Sequence, residues 1–179
     1  MRAGSLKPLF YDASQNLAHP IFMIAYDIAT AAIAAIMVGN EFAVAAFVHP
    51  QLQKLADGPH AQAAAPLATS LGKWMPFWYG ASLALILGAA YQHRAESHSL
   101  GLILASAILW ITTIVFTITI LVPINNRIAK MDTQQPYDCW REDRIRWDHL
   151  HKVRVEVLIA ALVLLLAGLF LGDAAVPTV

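Results

Sequence analysis

Four long apolar runs constrain this chain more than any other feature of its sequence. They lie at about 21–48, 74–91, 100–122 and 153–171. Each run approaches the ~20 residues that a helix needs to cross a hydrocarbon layer ~30 Å thick. Because lipid offers the backbone no hydrogen-bond partners, such runs are expected to be helical. The sequence therefore predicts an all-α integral membrane protein, built as a four-helix bundle.

The composition agrees with a chain that faces lipid. Of its 179 residues, 58% are hydrophobic and 13% are charged, whereas about a quarter of the residues in soluble domains are charged. The formal net charge is zero, so the global charge does not indicate a nucleic-acid partner. We expect a single multi-pass membrane domain over 1–179, in a bacterial inner membrane.

The connections between the apolar runs differ in length. Residues 92–99 form a short connection, so the second and third helices are expected to make a tight antiparallel hairpin. Residues 49–73 are predicted to be a loop, broken at Gly58-Pro59. The fourth helix is predicted over about 139–171 and extends beyond the bilayer. Most Lys and Arg residues lie in the two longer connections, which the positive-inside rule places in the cytoplasm.

The start of the fourth helix carries a stripe of aromatic and ionisable residues. Its members are Trp140, Arg144, Trp147, His151, Arg154 and Leu158. Their spacing in steps of four and three places them on one helical face. A charge at the membrane boundary must be paired or must reach the headgroups, so we interpret Arg154 as facing inward, with snorkelling as the alternative. Asp148 lies on another face, where we expect a solvated row of ion pairs with Arg144 and Lys152.

Helix one carries two further candidates. Glu41 lies inside its apolar run, where a carboxylate must be paired, hydrated or protonated. Arg127 or Arg154 is the expected partner if the acid is functional; a packing hydrogen bond from the neutral acid is the alternative. His49 precedes Pro50, which disfavours helical geometry at the histidine and would present its ring at a cavity mouth.

Helix three ends in a polar segment that contains Asn125, Asn126 and Arg127. Amides and a guanidinium can hydrogen-bond a carbonyl or an anion, so we interpret these residues as substrate-binding. With Trp147 as a flat apolar wall and His151 as a proton acceptor, they would gather at one membrane face. This set suits proton abstraction from a flat, lipophilic substrate. The histidines at positions 19, 60, 93 and 98 are interpreted as incidental.

Several of these motifs resemble a known family. The motifs that carry the resemblance are 122–128 (VPINNRI), Trp140, 146–151 (RWDHLH), Arg154, Glu41 and His49-Pro50. They are similar to the anthrone oxygenase-like family, a group of small four-helix membrane proteins, many of unknown function. Its fungal members oxidise anthrones to anthraquinones with molecular oxygen, without metal or flavin.

The resemblance implies a tricyclic substrate whose acidic C–H is removed by His151, with His49 as the second candidate base. It implies a pocket wall at Trp147. The side chains that it implies for holding the enolate oxygen are Asn126, Arg127 and Arg154. We therefore predict a membrane oxidase or oxygenase that uses molecular oxygen and no cofactor. Its substrate would be a lipophilic aromatic compound, anthrone-like or hydroquinone-like.

The residues also allow two other functions. The first is a metal- or haem-binding redox protein. The ligands for iron or copper would be Glu41, His49, His149 and His151, and the axial ligands for haem would be His49 and His151. The second is a non-catalytic subunit of a membrane complex or a homo-oligomer, since the small residues of helix one would allow close helix packing.

Overall fold

A computed structural model describes residues 7–171 of this chain, with side chains from Pro20 onward. Throughout this part of the chain the regular structure is helical, and it contains no strand. The elements are α1 (Lys7–Ala43), a π-helical turn (Val44–Val48), α2 (His49–Leu52), α3 (Asp57–Gln92), α4 (Ser97–Phe116), a second π-helical turn (Thr117–Leu121), α5 (Val122–Ala129) and α6 (Trp140–Phe170). The all-α prediction is confirmed for these residues.

Within residues 7–171, three helical stretches are long and apolar enough to cross a membrane. They are Pro20–Leu52, Ser97–Ala129 and Trp140–Phe170. Helix α3 is not among them, although it has 36 residues. Aromatic residues and proline, such as Trp74 and Pro76, lower the mean hydropathy of its C-terminal half. The chain is therefore an integral membrane protein with three membrane-spanning candidates.

Helix α3 begins at Asp57, so the predicted loop over 49–73 is wrong for most of its length. The segment is rich in alanine, the strongest helix former. Pro59 lies in the first turn, where a missing backbone N–H has no intrahelical acceptor to lose. Gly58 and Pro59 therefore mark the start of a helix instead of breaking a loop.

The prediction that His49 leaves helical geometry is also wrong, because the residue has φ −61° and ψ −43°. A π-helical turn precedes it, and the N–H of His49 bonds to the carbonyl of Val44. The wider turn accommodates Pro50, which otherwise clashes with a carbonyl of the preceding turn. The second π-helical turn stands in the same relation to Pro123. Both helices thus continue through an X-Pro step.

Helix α6 packs closely against α4 through small residues and short polar contacts. Ser99 Oγ donates to the carbonyl of Gly168 at 2.8 Å, and Ser106 Oγ donates to the carbonyl of Ala161 at 2.7 Å. A Cβ on Gly168 would lie 2.7 Å from Ile103, so only glycine allows this approach. Such contacts hold helices together in lipid, where burial of apolar surface provides little drive.

Candidate active site

A cavity of about 220 Å³ lies among α1, α3, α6 and the helix formed by α4, the second π-helical turn and α5. Most of its lining is apolar. The polar and aromatic side chains in the lining are Asn40, Glu41, Tyr79, Thr117, Asn125, Trp147, His151 and Arg154. Apolar cavities with a few convergent polar groups are the usual form of small-molecule sites.

An ion pair between α1 and α6 lies at the centre of the polar lining. Arg154 Nη2 donates to Glu41 Oε2 at 2.5 Å, and the two residues are 7% and 2% exposed. Arg154 Nη1 donates a hydrogen bond to Thr117 Oγ1 at 3.2 Å, and the hydroxyl of Tyr79 donates one to Glu41 Oε1 at 3.2 Å. Arg154 therefore faces inward and is the partner of Glu41, as one of the sequence-based expectations had it. The snorkelling alternative is wrong.

His151 lies beside this ion pair. Its Nδ1 is 2.8 Å from Nη2 of Arg154 and 3.3 Å from Oε2 of Glu41. Trp147 stacks on the imidazole, with ring centroids 4.8 Å apart and an angle of 16° between the planes. This stacking follows from the four-residue spacing on α6. The lining therefore contains an ordered group of Trp147, His151 and Arg154 on one face of α6.

Three nitrogen atoms of this group are buried and have no hydrogen-bond partner among the described residues. They are Nε1 of Trp147, Nε2 of His151 and Nε of Arg154. All three residues line the cavity. A buried polar group without a partner costs about 1–3 kcal/mol, so an acceptor that reached these nitrogen atoms would stabilise this part of the fold.

His49 is buried behind the cavity and is not part of its lining. Its ring packs edge-on against Trp147, with centroids 5.0 Å apart, and lies 5.1 Å from the ring of His151. Its Nδ1 is 3.2 Å from Oδ1 of Asp148. The structure thus brings both candidate histidines together, but only His151 meets the cavity.

Asp148 and Arg144 do not form a solvated row, and this expectation is wrong. Both residues are 2% exposed, and Arg144 Nη2 lies 2.8 Å from Oδ1 of Asp148. Gln53 Nε2 donates to Oδ2 of the same carboxylate at 2.7 Å. The segment α2, which carries His49, covers this face of α6, while Lys152 alone stays exposed. The four-residue spacing indicated the pair, but only the packing of α2 buries it.

The polar segment of Asn125, Asn126 and Arg127 lies in α5, and its side chains divide between two sides of this helix. Asn125 lines the cavity and donates from Nδ2 to the carbonyl of Ala68 at 3.0 Å. Asn126 and Arg127 are exposed, and Arg127 donates to both oxygens of Asp143 at 2.8 and 2.9 Å. Successive helical residues point about 100° apart, so three neighbours cannot share one wall. Asn126 and Arg127, which were predicted to bind substrate, therefore do not line this cavity.

The proposed metal ligands do not assemble as a group. His149 is exposed, whereas Glu41, His49 and His151 are buried. Across the residues that the structure describes, no three His, Cys, Asp or Glu side chains are placed to hold a metal ion. The rings of His49 and His151 pack against each other, so a haem between them would require the two helices to move.

His60 was interpreted as incidental but is buried, with 1% of its surface exposed. Its ring packs edge-on against Trp140, with centroids 5.3 Å apart. Burial, followed by the charges of Arg144 and Arg141, lowers the pKa of His60 to about 4. The alanine-rich helix in which His60 lies was not recognised from the sequence, so its burial could not be predicted.

His93 is also buried, at the opposite end of the helices from the cavity. Its Nε2 lies 3.1 Å from Oδ2 of Asp27, and its Nδ1 lies 2.7 Å from Oε2 of Glu96. Although burial lowers the pKa of His93, the hydrogen bonds to Glu96 and Asp27 outweigh it, so the pKa is raised. The three-residue spacing of His93 and Glu96 was a readable signal. His98 is exposed, and the side chain of His19 lies outside the described residues.

Comparison with known proteins identifies a family. Residues 73–164, just over half of the chain, match the family described as anthrone oxygenase. The matched segment contains Tyr79, Thr117, Trp147, His151 and Arg154 of the cavity lining, while Glu41 lies before it. No curated protein and no solved structure matches the chain.

Proposed function

This chain belongs to the anthrone oxygenase family, and on that premise we propose that it is a membrane-bound oxygenase acting on a lipophilic aromatic substrate, anthrone-like or hydroquinone-like. The reaction uses molecular oxygen and needs no cofactor. The protein is a four-helix membrane bundle in which α3 completes the set of spans. The N-terminal part of α6 projects beyond the bilayer.

The observation that carries this proposal is the apolar cavity whose lining brings together Trp147, His151 and Arg154. Nitrogen atoms of Trp147, His151 and Arg154 are buried without acceptors. An aromatic molecule would fill the apolar space with its rings. Small movements of the side chains would let these covered nitrogen atoms donate to an oxygen atom at its edge. As negative charge develops on that oxygen, the same donors stabilise it more strongly than in water.

The contact between Arg154 and His151 suggests the role of the histidine. A guanidinium has donors only, so at 2.8 Å it requires a lone pair on Nδ1 of His151. The neutral ring then carries its proton on Nε2. His151 would therefore donate a hydrogen bond to the substrate oxygen. This role differs from that of a base, which was predicted for His151 from the sequence. A base would need the other tautomer, in which Nδ1 carries the proton and donates it in a hydrogen bond to Glu41.

Glu41 is the carboxylate of the described cavity lining, and it can accept the substrate proton. In an anthrone-like substrate, a C–H bond of the central ring breaks, its proton goes to Glu41, and its electron pair spreads onto the ring system and the oxygen beside His151. Addition of molecular oxygen to that carbon forms a peroxide, which takes the proton back. Loss of the second hydrogen on that carbon, with cleavage of the O–O bond, releases water and leaves a carbonyl. One oxygen atom enters the product and one enters water.

Two substitutions at His151 test the proposal in protein purified into lipid nanodiscs. Oxygen consumption with an anthrone should give the quinone and water. His151→Ala should lower turnover by a factor of about 10². His151→Gln keeps an N–H donor and should lose less turnover than His151→Ala. Equal loss in both variants supports the base role instead. No oxygen uptake by the wild type contradicts the proposal. Metal analysis and added chelator test whether turnover needs a metal.

A further inference from the structure

The mouth of the cavity lies on the side of the helices. On α3 its rim consists of Gly72, Pro76 and Gly80, which are four residues apart and therefore share one face. All three are exposed. The opposite rim includes Ile114 and Ile118, and Ile118 is 61% exposed although it lines the cavity. The opening thus runs between α3 and the second π-helical turn.

The exposed side chains around this mouth are mostly apolar, and Asn40 is the exposed polar side chain of the described lining. Ile114 and Ile118 lie inside the candidate span Ser97–Ala129. Phe77, on the same stretch of α3, is 70% exposed. Large exposed apolar side chains on a membrane helix contact lipid tails. With α3 in the membrane, as proposed above, this mouth would face the hydrocarbon layer.

Gly80 is not required for helix packing. A Cβ at this position would meet no atom within 4 Å, whereas one on Gly88 or Gly168 would collide with a neighbouring side chain. Glycine inside a helix costs about 0.5–1 kcal/mol relative to alanine. At Gly80 that cost is not offset by a close approach of another helix. What the missing side chain provides at Gly80 is open space at the cavity mouth.

We propose that the cavity opens sideways into the bilayer between α3 and the second π-helical turn, and that its ligand enters from the lipid phase past Gly80. The chemical class of the ligand rests on the proposed function: a fused aromatic ring system with an oxygen at its inner end. A cavity of about 150 Å³ accommodates benzene, so about 220 Å³ accommodates a larger ring system. The oxygen points to His151, and the apolar end points to the mouth.

The test is the rate of anthraquinone binding in nanodiscs, followed by quenching of tryptophan fluorescence; Trp147 lines the cavity. The test variant is Gly80→Leu. The matched control is Gly101→Leu, because Gly101 is also an exposed helix glycine whose Cβ would meet nothing within 4 Å. We expect Gly80→Leu to slow both association and dissociation by about tenfold, as expected for a narrowed path. The control should match the wild type.

Other outcomes separate the access route from the chemistry. If Gly80→Leu only speeds dissociation, Gly80 is a wall contact and the lateral route is wrong. If it behaves like Gly101→Leu, the route is also wrong. The association rate should follow the mole fraction of anthraquinone in the lipid, and dependence on its aqueous concentration overturns the proposal. Slowed binding at Gly80→Leu without any turnover in the wild type contradicts only the proposed reaction.

Discussion

The ion pair between Glu41 and Arg154 links helices one and six and can be tested by a double-mutant cycle. Arg154→Met leaves the Glu41 carboxylate buried without its cation. Glu41→Gln leaves the guanidinium buried without its anion. Removing one partner of a buried ion pair costs about 3–5 kcal/mol, much of it from the charge left behind. Each single variant should therefore lose a free energy of unfolding in this range.

The double variant Glu41→Gln/Arg154→Met carries neither charge. Replacing a buried ion pair by neutral groups is often close to neutral, so this variant should be more stable than either single variant. Thr117→Val is the control, because it keeps both charges and removes one hydrogen bond between helices, the one from Arg154, together with the bond from Thr117 to the carbonyl of Thr113 within its own helix. Hydrogen bonds between membrane helices contribute about 0.6 kcal/mol, and the control should lose no more than about this amount.

The assay is reversible unfolding in mixed micelles with a rising fraction of denaturing detergent, followed by tryptophan fluorescence. The coupling energy is the difference between the loss in the double variant and the sum of the single losses. Losses that simply add would refute the argument, since the two charges would then not compensate each other. Glu41→Gln and the double variant should lack turnover, because Glu41 accepts the proton in the proposed reaction.

The remaining predictions concern pH and a residue outside the site. The folded protein keeps His60 neutral down to about pH 4, whereas His60 of the unfolded chain is protonated below about pH 6.5. The free energy of unfolding should therefore fall as the pH falls from about 6.5 to about 4. His60→Gln should reduce that loss when unfolding is measured as a function of pH. His93 has a raised pKa in the folded state. Its contribution to the free energy of unfolding is therefore fully present below about pH 6.5 and is lost as the pH rises through the raised pKa. His93→Gln should remove this loss of stability at higher pH. Arg127→Gln should leave oxygen consumption unchanged. It should lower the free energy of unfolding by at most about 1 kcal/mol, because Arg127 is half exposed and its bond with Asp143 is a surface ion pair. Loss of turnover in this variant would show that Arg127 belongs to the site.

The membrane helices and part of the site could be predicted from the sequence because those features depend on local pattern. Long apolar runs force a helical backbone in lipid whatever packs around them. Charges inside such runs need partners, so Arg154 could be named as a candidate partner for Glu41. Spacing in steps of three and four placed Trp147, His151 and Arg154 on one face of α6.

The tertiary structure decided what stands opposite each helical face. The sequence could place Asp148 on another face of α6 than His151, but not the segment α2 that covers it. Likewise it could not show that Arg127 turns outward to Asp143, or that His60 is buried against Trp140. Helical periodicity fixes which residues share a face, because it is a property of a single backbone. Contacts between helices depend on several faces at once, so burial and pairing across them are set only when the helices pack.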